Sequence, residues 1–131
     1  MSFLNYIASD FPLPALNPNV RDGMEDDFSI YPAHMLCDIF SEKKYAYIID
    51  CGNFGRREAE RLVSYIRENF PKGGELEIWH LWQDDGERPI VRTRQVKLSA
   101  LCAENIERLT GEDVFKDLYG IPYEYRIVVT E

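Results

Sequence analysis

The sequence predicts an α+β domain on three observations: short apolar runs ending at turn residues, amphipathic runs between them, and enough apolar residues to fill a core. Of 131 residues, 45% are apolar and 13% aromatic, which argues against a disordered chain. That length corresponds to one domain. The expected organisation is a single domain over residues 1–131, with an acidic leader, 1–43, packed on a core, 44–131.

Phe3 to Ala8 is short, apolar and aromatic and predicts a strand. Pro12, Pro14 and Pro18 fix their own φ and bias the preceding residues toward extended backbone, so Phe11 to Asn19 reads as a loop or edge segment. Asp22, Glu25, Asp26 and Asp27 follow in an acidic turn. Their order lacks the alternating oxygen ligands and distant glutamate of a calcium loop. Phe28 to Tyr31 predicts a short strand, and Ala33 to Phe40 a helical turn with Met35, Leu36 and Ile39 inward.

Tyr45 to Cys51 is apolar at nearly every position, the pattern of a strand covered on both faces and central in its sheet. Gly52 breaks it and Asn53 is placed to cap a helix. In that helix Phe54, Ala59, Leu62, Val63, Ile66 and Phe70 recur every three or four residues, with Arg56, Arg57, Glu60, Arg61, Arg67 and Glu68 on the other side. Pro71 and Gly73-Gly74 end it. Glu75 to Trp82 is a second strand. Asp85-Gly86 then predicts a tight hairpin into Val91 to Leu98, setting Glu77 opposite Arg94, Trp79 opposite Arg92 and Leu81 opposite Ile90. Ser99 is expected to cap a helix from Ala100 to Leu109, and Thr110 with Asp113 to open a further turn through Tyr119. Tyr123 to Thr130 closes the chain as a strand.

From Lys44 this order is strand, helix, strand, strand, helix, strand. It resembles the ferredoxin-like βαββαβ sandwich, with helices on one face of an antiparallel sheet and the Tyr45 and Val91 strands in the middle. The N-terminal extension would add a strand or cover the open face. Such a fold hosts many activities and transfers none.

Charge narrows the function classes. The chain has 23 acidic and 15 basic residues, a formal charge of -8. Seven of those acids and two of the bases precede Lys44. Nucleic acid and anionic membrane are therefore disfavoured as partners, and a basic protein is favoured. Cys37, Cys51 and Cys102 show neither paired spacing nor neighbouring histidines, so reduced thiols and no metal are expected. The first residues lack the basic start and long apolar run of a signal peptide, and no stretch is long enough to span a bilayer. A cytoplasmic protein without cofactor is the expectation.

Candidate site residues follow from residue type and position. His80 shares its phase with Leu76 and Ile78 and reads as a buried, hydrogen-bonded histidine. The turn CGNFGRR brings Arg56 and Arg57 to a helix start, where an anion could sit, although the glycine spacing is not that of a phosphate loop. Cys51 near the same helix start lacks an adjacent base, and no catalytic set is expected. Tyr45, Tyr47, Tyr123 and Tyr125 would lie on neighbouring strands, with Trp79, Arg92 and Arg94 as another group on an exposed side, and read as core or leader-covered aromatics rather than an RNA-stacking platform.

The leading expectation is a non-enzymatic interaction protein for a basic partner, similar in composition to inhibitors that neutralise basic toxins or nucleases. Asp26, Asp27, Asp84 and Asp85 would speed encounter, with Trp79, His80, Arg92 and Arg94 supplying nearby contacts. The alternative is a small-ligand sensor with a pocket near Trp79, His80 and Arg92. Exposed sheet edges are also compatible with a homodimer.

Overall fold

A six-stranded sheet carries the fold, with the most polar of its strand sequences, VRTRQVK, at one edge. The computed structural model describes residues 3–16, 28–33, 43–50, 55–82, 91–110 and 124–131. The strands are β1 (Phe3–Ser9), β2 (Ser29–Pro32), β3 (Tyr45–Asp50), β4 (Glu75–Trp82), β5 (Val91–Lys97) and β6 (Glu124–Thr130). Helix α1 (Arg56–Asn69) joins β3 to β4, and α2 (Ala103–Thr110) lies between β5 and β6. The order across the sheet is β2-β3-β1-β4-β6-β5.

The mixed α+β class stands, whereas the strand order differs from the ferredoxin-like one. β1 is inserted between β3 and β4, antiparallel to both. β6 is inserted between β4 and β5, so the expected β4–β5 hairpin does not form. β5 runs parallel to β6 at an edge rather than in the middle. β3 and β6 are separated by β1 and β4, so Tyr45 and Tyr47 do not neighbour Tyr123 and Tyr125.

The physical reason lies in the side chains. Ile78 faces Ile7 on one side and Ile127 on the other, and Leu76 faces Val129. These pairs place branched apolar residues under the helices. The sequence VRTRQVK of β5 would instead bury two arginines if it were central, and charge burial of that kind is costly. An edge is where such a strand fits.

The helix-side core joins Ile7, Ile30, Ile49, Ile78, Ile127 and Val129 of the sheet to Leu62 and Ile66 of α1 and Ile106 of α2. Leu62, Ile66 and Ile106 have no exposed surface, and burial of each stabilises by roughly 1.5–3 kcal/mol. The proline segment is pinned to the same core. Leu13 N–H donates to the Tyr47 hydroxyl at 2.7 Å, and the Tyr65 hydroxyl donates to Pro14 O at 2.6 Å. Burial, then the nearby Tyr47, pushes the Tyr65 phenol up to about 12. Leu16 continues this segment into a two-bond bridge with Ile30 on the outer edge of β2.

Helix ends depart from the expected caps. Gly55 is the N-cap of α1, and Glu58 Oε2 accepts its N–H at 3.0 Å. Asn53, the expected cap, lies outside the described residues, as do most of the expected Ala33–Phe40 turn, the Asp85-Gly86 turn and residues 111–119. After α1 the chain turns through Gly73, whose φ of 72° suits glycine. The helix expected from Ala100 to Leu109 runs instead over Ala103–Thr110, after a 3₁₀ turn, Leu98–Ala100, where the Ser99 cap was expected. Leu101 is fully buried in extended backbone, and Arg67 Nη2 donates to its carbonyl at 2.6 Å. Those contacts interrupt helical geometry, so α2 begins two residues later with Cys102 N–H donating to Asn105 Oδ1 at 2.9 Å.

Lys43 ties β1 to β4 through Asp10 at 3.2 Å and Glu75 at 2.8 Å. Burial opposes its charge, but hydrogen bonds to Glu75 and Asp10 and their negative charges together raise its pKa. Lys43→Ala should cost about 1 kcal/mol in urea unfolding, at the low end for charged hydrogen bonds because both carboxylates remain wet. The raised pKa makes this stabilisation fully present below the lysine's ordinary value and lost only as pH rises through its folded value.

Candidate functional site

Alternation along β4 sends Trp79 and His80 to opposite faces of the sheet, and the two make different sites. His80 lies on the helix side with Leu76 and Ile78 and is 4% exposed. Its Nδ1 is 2.6 Å from Asn5 Oδ1, on the facing position of β1. Since an amide oxygen only accepts, Nδ1 carries the proton of the neutral ring. Burial lowers the His80 pKa to about 4. A neutral imidazole held this way orders two central strands, the buried role expected for it.

Trp79 lies on the other face, next to Tyr6 of β1 and 3% exposed. Its Nε1–H donates to Glu77 Oε1 at 3.0 Å, and the guanidinium of Arg126 stands 5.1 Å from its ring centre. Arg126 also pairs with Glu77 at 3.5 Å and donates from Nε to Thr93 Oγ1 at 3.2 Å. Arg126 thus takes the place beside Glu77 and Trp79 that was expected for Arg94 and Arg92, because β6 rather than β5 flanks β4. The group stitches β4, β6 and β5 together. Tyr6 extends the same buried face, with its phenol pKa raised by burial and then by Tyr31, whose hydroxyl donates to Asp50 Oδ2 at 3.3 Å.

Of the residues near which a pocket was expected, Trp79 and His80 therefore face opposite sides of the sheet. Arg92 is in register with Tyr125 on the far side of β6. Arg94 follows it on the exposed edge strand. Asn5 and Arg126 are the residues that sequence reasoning missed. The signal for Arg126 was present: it is the one cation in the run EYRIVVT, and pairing that run with β4 sets it opposite Trp79.

At the start of α1, Arg56 is 3.4 Å from Glu60 and 3.1 Å from Glu107 of α2. Hydrogen bonding to Glu107 and the charges of both glutamates raise its pKa. Glu58 also accepts from Gly55, so three carboxylates stand about this helix start. Arg57 lies instead on a shallow concavity of about 340 Å³ with Leu16, Glu60, Arg61, Tyr65 and Glu68.

The remaining candidates, Asp26, Asp27, Asp84 and Asp85, lie outside the described residues. Their points of attachment are nevertheless informative. One row of paired positions crosses the sheet: Leu16, Ile30, Ile49, Asn5, His80, Tyr125 and Arg92. Segments 17–27 and 83–90 join the described chain at both ends on the same side of this row, and segment 111–123 joins it there at Glu124. They hold ten acidic and three basic residues, whereas the described residues hold eleven acidic and twelve basic. The chain's negative surplus therefore belongs to its connecting segments, and most of it to those attached at one end of the sheet.

Among the described residues, no cluster of three or more His, Cys, Asp or Glu side chains is arranged to hold a metal ion. No helix among them is long and apolar enough to cross a membrane. Comparison with protein-family models, curated proteins and solved structures gave no match.

Proposed function

We propose that this protein is a non-enzymatic interaction domain that binds a basic protein in the manner of an inhibitor or immunity protein, using the acidic segments that join its sheet at one end. The observation that carries this reading is the separation of charge. The sheet and helices are close to neutral, while Asp22 to Asp27, Asp84 to Glu87 and Glu112 to Asp117 concentrate negative charge in segments joined at one end. Charge grouped this way accelerates encounter with a cationic surface and selects its orientation. The internal ion pairs of Lys43, Arg56 and Arg126 support the same reading, since these cations are engaged with the framework's own carboxylates.

Affinity capture with the full chain from source lysate tests this. At about 50 mM salt a discrete basic protein should be retained and at about 500 mM largely released, as screening shortens the reach of exposed charges. Retention of background alone at both salts contradicts the proposal.

A further inference from the structure

The two edges of the sheet are treated differently. On β2, Ile30 exchanges two backbone hydrogen bonds of 2.8 and 2.9 Å with Leu16, and Pro32 supplies no donor. That edge is closed. β5 is seven residues long and pairs with β6 alone among the described residues. Thr93, Arg94, Gln95 and Lys97 are exposed, and these positions alternate between the two faces of the strand. Val91–Lys97 holds three cations and no acid in a chain of charge -8. Neither Arg94 nor Lys97 forms an ion pair or side-chain hydrogen bond among the described residues, in contrast to Lys43, Arg56 and Arg126.

We propose that the outer edge of β5 receives an extended acidic segment of a partner polypeptide as a seventh strand, with acidic residues meeting Arg94 on one face and Lys97 on the other. Backbone hydrogen bonds would supply affinity and the paired charges the selectivity and register. The same cations reject a second copy of this chain. Antiparallel self-pairing centred on the strand sets Arg94 opposite Arg94, and like charges directly opposed are unfavourable. An acidic strand removes that repulsion. A polypeptide is favoured over nucleic acid because the edge offers a ladder of backbone donors and acceptors as well as charge.

A labelled seven-residue peptide of valine and glutamate, with glutamate on both faces, titrated into the full chain by fluorescence anisotropy, tests this site. Saturable binding is expected, weakened about tenfold or more both by N-methylation of alternate peptide residues and by Arg94→Glu with Lys97→Glu. These side chains are exposed, so the double variant should unfold at the wild-type temperature, which circular dichroism checks. Absence of saturable binding overturns the proposal. Equal binding of the N-methylated peptide, or equal competition by a single-stranded oligonucleotide of the same charge, overturns it as well, because each leaves charge without strand addition.

Discussion

Trp79→Ala should lower the unfolding free energy by about 3–5 kcal/mol in guanidinium titration, the range for removing a large buried aromatic. The side chain is 3% exposed and joins β4 to β6 through Glu77 and Arg126. Its loss empties the space beside Tyr6 and strips Glu77 of one donor while leaving that carboxylate buried. Arg126 still pairs with Glu77, which keeps the charge compensated and the loss within that range. Trp79→Phe separates the terms. It retains a ring under the Arg126 guanidinium but removes the indole N–H, and should cost about 1–3 kcal/mol. A loss below about 1 kcal/mol for the alanine variant would show that this face of the sheet is not packed as described.

Stability should also fall by about 3 kcal/mol as pH drops from 6.5 to 4, through His80. Its folded pKa of about 4 lies below the ordinary 6.5, so between these values the unfolded chain binds a proton that the folded chain does not. The contribution is complete above 6.5, declines through the window and is flat below 4. The cause is burial: a charged imidazole would be trapped among Leu76, Ile78 and the helix layer. Because carboxylates titrate at the lower end, the informative quantity is the difference in slope between wild type and His80→Gln. The variant should be less stable at pH 7 and should lose most of the slope. Equal slopes would mean that His80 gains a proton in the folded state at its ordinary pH.

These two sites show what could be read from sequence and what could not. The Tyr45, Glu75, Val91 and Tyr123 strands and the Leu62–Ile66 helix face were legible because their signals are local: period two, period 3.6, glycine and proline at the ends. The order of strands was not, because Asp85-Gly86 is a local signal for a hairpin while the alternative partners are distant in the chain. β6, with Ile127, Val128 and Val129, competes better for β4 than β5 does. A reading that asked which runs tolerate burial on both faces would have placed NYIAS and RIVV inside and VRTRQ outside. The pairing of His80 with Asn5 rests on the same long-range placement of β1. For the acidic residues the position is reversed: Asp26, Asp27, Asp84 and Asp85 stand out in the sequence, and the sheet adds that their segments attach at one end.

Two variants of equal net charge test the central claim most directly, with the captured basic protein as ligand. Asp26→Lys with Asp85→Lys alters two of the acidic segments that join the sheet at one end, while Glu68→Lys with Glu104→Lys alters exposed positions on the two helices. Calorimetric titration should show affinity reduced about tenfold or more by the first pair and less than about twofold by the second. Equal losses would mean that only total charge matters, and a larger loss from Glu68 and Glu104 would move the binding surface to the helices; either result contradicts the assignment.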